Sequence, residues 1–112
     1  MADMILFSRA ALLALLFAAA ALPARAETGA APPSDPTKNG EILFATSCGW
    51  CHSDGGREAG KGPKLAGTAR DDAFIINRIK NGKAGAMPAW GKVFDDAQIQ
   101  NILHYIRSLP SK

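Results

Sequence analysis

The stretch Cys48-Gly49-Trp50-Cys51-His52 holds both cysteines of a 112-residue chain and one of its two histidines. Two thiols stand three positions apart, with an imidazole directly after the second. Four chemistries use such a grouping: a structural disulfide, a thiol–disulfide redox pair, half of a zinc site, or a covalently attached haem. Each makes a different demand on the residues around it.

Compartment limits what two cysteines can do, and residues 1–26 read as a secretory signal peptide. Arg9 precedes an unbroken apolar run from Ala10 to Leu22, followed by Pro23 and the small-residue triplet Ala24-Arg25-Ala26. An apolar core of about 7–15 residues before an A-x-A site is the pattern of an export signal. The run is 13 residues long, short of the roughly 20 that a membrane span needs. Cleavage near Ala26 is expected, which places the protein in the periplasm, where thiols can be oxidised. No membrane span is expected in the mature chain.

Residues 27–112 carry 11 Lys and Arg against 9 Asp and Glu. That balance is far from the dense basic face of a nucleic-acid binder. Residues 27–35, rich in Pro, Ala and small polar residues, form a flexible leader, and 36–112 remains as one domain. A domain so small buries a modest share of its surface and often needs a disulfide, metal or cofactor to hold together. The stretch 53–67, SDGGREAGKGPKLAG, holds five glycines and little that is apolar beyond Ala59, Leu65 and Ala66. Such a loop has little to pack with, so another body must fill the middle.

Three helices are expected and no strand, since no run of four or more residues alternates polar and apolar. The first runs from Asp35 or Pro36 to Thr46, with Asp35 as N-cap and Pro36 at the first helical position. The second covers about 71–81. Asp71 and Asp72 suit its positive end, Phe74, Ile75, Ile76 and Ile79 supply an apolar face, and Gly82 is placed for a left-handed stop. The third runs from about 95 to 109. Asp95 and Gln98 are spaced for a capping box, and Ile99, Ile102, Leu103, Ile106 and Leu109 form one stripe. The fold class is all-α.

The four chemistries now separate. Zinc wants four ligands, and besides the motif residues 27–112 offer only His104 as a further nitrogen or sulfur donor of the usual kind, on the helix face opposite the apolar stripe. A disulfide between Cys48 and Cys51 closes too short a loop to constrain the unfolded chain much, and leaves His52 idle. A thioredoxin-type pair follows a buried strand in a βαβ unit, whereas Gly40 to Thr46 reads as helix. Haem attachment uses every residue: in C-x-x-C-H the thiols add to the two vinyl groups of one porphyrin, and the imidazole falls over the iron. A large apolar disc would also supply the missing core. A periplasmic thiol–disulfide oxidoreductase using Cys48 and Cys51 stays as the alternative.

Further residues carry a resemblance to a known family. Gly40, Phe44 and Cys48 recur every fourth residue along and just beyond the first helix, Gly62-Pro63-Lys64-Leu65 follows the motif, Gly85-Ala86-Met87-Pro88-Ala89-Trp90-Gly91 forms a later loop, and Ile102-Leu103-His104-Tyr105-Ile106 lies in the last helix. With these, residues 36–112 resemble a class I (monohaem) cytochrome c of the small bacterial periplasmic type. The M-P-A-W-G form is similar to haem domains of some bacterial oxidase subunits. The implied fold is a small cytochrome c fold, with three main helices and Gly-rich loops around one covalently bound haem c.

The resemblance also implies roles. Cys48 and Cys51 carry the haem, and His52 and Met87 are the axial iron ligands. Pro63 accepts the other imidazole N–H, while Trp90 packs at the porphyrin edge, its N–H near a propionate. Trp50 departs from the smaller or polar residues common between the cysteines of that family and is expected to shield one haem edge, while Phe44, Phe74, Ile79, Ile102 and Ile106 are read as packing on haem or between helices. A His/Met pair leaves no open iron position, so the implied activity is one-electron transfer and not enzyme catalysis. The expected protein is a soluble, monomeric periplasmic carrier between a donor dehydrogenase or membrane complex and an acceptor oxidase or peroxidase. Lys61, Lys64, Lys80, Lys83 and Lys92 are expected to frame the exposed haem edge, with Arg107 apart from it.

Overall fold

The computed structural model describes residue 29 and residues 31–111. The signal segment 1–26 lies outside the described residues, as do positions 27, 28 and 30 of the expected leader. Three helices form: α1 Pro36–Ser47, α2 Asp72–Asn81 and α3 Asp96–Ser108. A short 3-10 turn at Asp54–Gly56, unsignalled by any apolar period, lies between α1 and α2. Among the described residues the only extended pairing is an isolated antiparallel bridge between Lys83 and Met87.

Each helix begins where an aspartate can take up free backbone N–H groups. Asp35 accepts from Thr37 N at 2.8 Å and Lys38 N at 3.1 Å, and Asp71 accepts from Phe74 N at 2.7 Å. At α3 the capping box closes both ways: Gln98 N donates to Asp95 at 2.8 Å and Asp95 N donates to Gln98 at 3.0 Å. Gly82 departs from expectation at the end of α2. Its φ of 66° is positive, but ψ is −160°, so the chain leaves the helix extended and does not make a left-handed helical turn. α3 stops one residue early, at Ser108, with Leu109 extended yet still buried.

α3 is the central element. Ile99, Ile102, Leu103, Ile106 and Leu109 are all buried, as the stripe required, with Tyr105 beside them. Full burial of an aliphatic side chain such as Ile99 or Ile102 contributes about 1.5–3 kcal/mol. α1 and α2 both pack on α3 and at most graze one another, which leaves space between them. α1 meets α3 at Gly40, where any Cβ would overlap the Asn101 carbonyl oxygen and stand 3.0 Å from Ile102 N. Glycine is therefore a condition of this crossing. Beside it, Asn101 Nδ2 donates to Asn39 Oδ1 at 2.9 Å.

Two further ties lock the loops to α3. Tyr105 donates its hydroxyl to the Gly55 carbonyl at 2.7 Å, fixing the 3-10 turn. Arg107 lies apart from the cavity described below, but it is more than a solvated charge. It holds Asp72 at 2.7–2.8 Å and donates to the carbonyls of Arg70 at 2.6 Å and Thr68 at 3.2 Å. One guanidinium thus fastens the loop before α2 and the first turn of α2 to α3.

Candidate functional site

The cysteine motif forms immediately after α1. Cys48 N and Gly49 N donate to the Phe44 carbonyl at 2.7 and 3.0 Å, and the next turn continues through Cys51 N and His52 N to the Cys48 carbonyl at 3.1 and 3.0 Å. This continued coil brings both cysteines and His52 to the edge of the space between α1 and α2. Gly62 N donates to the Cys51 carbonyl at 2.8 Å, which draws the Gly-rich loop across the motif. A Cβ at Gly62 would come within 2.6 Å of the His52 ring. The loop can lie against the imidazole because that position carries no side chain.

His52 is the one buried polar or charged side chain among the described residues. Its Nδ1 lies 2.8 Å from the Pro63 carbonyl oxygen. A carbonyl only accepts, so Nδ1 carries the proton and Nε2 keeps its lone pair, the form that binds a metal. Phe44 stands beside the ring at a centroid distance of 6.2 Å.

Met87 comes from a different device. Lys83 N donates to the Met87 carbonyl and Met87 N to the Lys83 carbonyl, both at 2.8 Å, closing a small loop. Trp90 N and Gly91 N then bond the carbonyls of Ile79 and Lys80 at 2.9 and 3.1 Å, folding the segment back over the end of α2. No period or composition in the sequence signals this bridge, because it depends on two backbone groups meeting across a turn.

These segments enclose one cavity of about 500 Å³, lined by Cys48, Cys51, His52, Pro63, Met87 and Trp90 together with apolar groups of all three helices. Phe44, Phe74, Ile79, Ile102 and Ile106 are all in its wall. The volume is in the range of cofactor sites. Two thiols, a lone-pair imidazole nitrogen and a thioether facing an apolar hollow suit an iron porphyrin, and among the described residues no group of three His, Cys, Asp or Glu could hold a bare metal ion. Trp90 stacks on Phe94 at 5.6 Å with an interplanar angle of 17°. Trp50 is not in the wall and is 82% exposed, so the expectation that it shields the haem is corrected. It lies in the turn that follows α1, and its side chain is exposed to solvent. His104 is exposed on α3.

The charges at the mouth also differ from expectation. Lys61, Lys64 and Lys83 line the cavity, but Lys80 pairs with Asp96 at 2.7 Å and, like Lys92, is outside the lining. Arg70 and Arg78 take their place, both stacked on the Phe74 ring at 4.6 and 5.0 Å. Their spacing of four residues on either side of Phe74 was the available signal. Among the described residues no acidic side chain lines the cavity.

The thiols are poorly placed for redox exchange. Burial, and secondarily the neighbouring Cys51, push the Cys48 thiol up to about 11. The motif also follows the C-terminal end of α1, where the helix dipole disfavours a thiolate. Reactive C-x-x-C thiols are lowered instead, as at helix N-termini.

Comparison with known proteins agrees with this geometry. Residues 35–106 match the family model described as "Cytochrome C oxidase, cbb3-type, subunit III". The chain is 35% identical over 96 residues to the cbb3-type cytochrome c oxidase subunit FixP of Azorhizobium caulinodans, covering 76% of this chain but 31% of that subunit. It thus spans less than a third of that relative's length. To the cytochrome c subunit of 4-cresol dehydrogenase (hydroxylating) of Pseudomonas putida it is 32% identical over 108 residues, covering 94% of this chain and 92% of the relative. Among solved structures it is similar to cytochrome cL of Methylophaga aminisulfidivorans, with a TM-score of 0.61 and 25% identity, over 69% of this chain and 55% of that one. The chain belongs to this cytochrome c family of the cbb3 subunit III type, whose members transfer electrons through covalently attached haem c.

Proposed function

We propose that the protein is a soluble periplasmic electron carrier, taking single electrons from a donor dehydrogenase or membrane complex and delivering them to an oxidase or peroxidase. The observation that carries this reading is the convergence of two thiols, one oriented imidazole and one thioether on a single apolar cavity. Haem c, when bound there, supplies a one-electron iron couple. Cys48 and Cys51 hold it by thioether bonds to its vinyl groups. His52 would offer Nε2 to the iron, with the Pro63 carbonyl fixing the ring and raising its donor strength. Met87 would be the second axial donor, a soft ligand of the kind that raises the potential. With both axial positions taken from the chain, neither oxygen nor an organic substrate would have a place to bind.

The relation to a dehydrogenase's cytochrome subunit extends over nearly the whole of both chains, which favours a dehydrogenase as donor. Among the described residues no helix is long and apolar enough to cross a membrane, which suits a carrier that moves between complexes. The thiol–disulfide alternative is disfavoured by the raised Cys48 thiol and by the position of the motif after α1.

The test is covalent haem. Exported with a cytochrome c maturation system, the protein should stay coloured after denaturation and acid–acetone extraction. Cys48→Ala with Cys51→Ala should yield a colourless chain that is largely unfolded, because so small a core needs the cofactor. A colourless, well-folded wild-type protein with a reducible Cys48–Cys51 bond would overturn the reading.

A further inference from the structure

Trp50 lies outside the packed core. It is 82% exposed, the most of any large apolar side chain described, and among the described residues it makes no ring–ring or cation–ring contact. It nevertheless occupies the turn between the two cysteines, one peptide bond from Cys51. Lys61 adjoins the same cysteine, because Gly62 N–H bonds the Cys51 carbonyl at 2.8 Å and draws Gly60–Gly62 alongside it. Beyond Lys61 the cavity mouth continues with Lys64, Arg70, Arg78 and Lys83, and among the described residues no acidic side chain lines it.

We propose that Trp50 is the apolar anchor of a docking surface for an acidic redox protein, with Lys61 as its adjoining charge. This rests on the electron-carrier reading and names the partner's chemistry. An exposed indole is costly to leave in water and is the side chain most often found as an energetic anchor at interfaces. The basic mouth gives long-range attraction to an acidic face, and Trp50 gives short-range contact where Cys51 offers a covalent path inward. A second copy of this chain is a poor occupant, since it would bring the same basic mouth.

The probes are reduced flavodoxin, an acidic protein with an exposed flavin edge, and hexacyanoferrate(III), a small anion. One electron passes from the flavin hydroquinone, left as semiquinone, to the ferric holoprotein, left ferrous. Hexacyanoferrate(III) takes one electron from the ferrous protein. In Trp50→Ala and Trp50→Gln the second-order rate with flavodoxin should fall about tenfold, the loss of one interfacial anchor, at both low and high salt. The hexacyanoferrate(III) rate should stay within about twofold, as an ion needs no apolar contact. Lys61→Glu should slow both reactions at low salt and lose its effect at high salt. Docking through Trp50 is overturned if the flavodoxin rate of both Trp50 variants matches wild type. It is also overturned if they shift the reduction potential or spectrum, which would make Trp50 a haem cover, or if Trp50 sustains a dimer in sedimentation. Absence of covalent haem in the wild-type protein would instead remove the electron-carrier reading itself.

Discussion

His52 and Met87 reach one cavity by different means. The imidazole is buried, oriented by the Pro63 carbonyl and pressed by the backbone of Gly62. Met87 is only partly buried and depends on the two hydrogen bonds of a single bridge to Lys83. The His52 side is therefore the fixed one, and Met87, the proposed second donor, should be removable without losing the fold. Met87→Ala should keep the covalent haem but lose the far-red signature of ferric sulfur ligation. Its reduction potential should fall by on the order of 0.1 V, within the roughly 0.8 V that axial identity spans. A mutant with the potential and spectrum of wild type would assign the second position to another residue.

Among the elements, the crossing of α1 and α3 and the tie from α3 to α2 carry the most. A methyl at position 40 has no direction in which to relax, because the obstacle is the backbone of Asn101. Gly40→Ala should cost about 1–3 kcal/mol by forcing the helices apart, and the melting temperature should drop on the order of 10 °C in a domain of this size. Arg107→Gln should act locally. With the bonds to Thr68, Arg70 and Asp72 gone, amide hydrogen exchange should quicken in residues 68–76 and stay unchanged in α1. Uniform quickening of exchange would mean that Arg107 supports the whole domain.

The helices were readable in the sequence because caps and periods are local: Asp35, Asp71 and Asp95 announce their helices, and the α3 stripe fixes its buried face. The Lys83–Met87 bridge, the 3-10 turn and the Arg107 tie were not, since each joins backbone groups or residues far apart along the chain. The charged mouth was half legible. Lys61, Lys64 and Lys83 sit in the loops that border the motif and Met87, while Lys80 turned to Asp96 and Arg70 and Arg78 were drawn in by Phe74.

At the scale of the whole molecule, α3 serves as a common backing for α1 and α2, and the space between those two helices is the place for the cofactor. The apolar residues of the three helices form its wall, so the domain completes its core only when the disc is bound. In the proposed reading the His52 imidazole and the Met87 thioether would take both axial positions of the iron, so the protein would exchange electrons and offer no coordination site. The measurement that tests this most directly is exposure of the reduced holoprotein to carbon monoxide. The expected result is an unchanged spectrum in the wild type and a carbon monoxide complex in Met87→Ala. A stoichiometric complex in the wild type at neutral pH would contradict it, showing an open iron and a protein that binds gas or turns over peroxide.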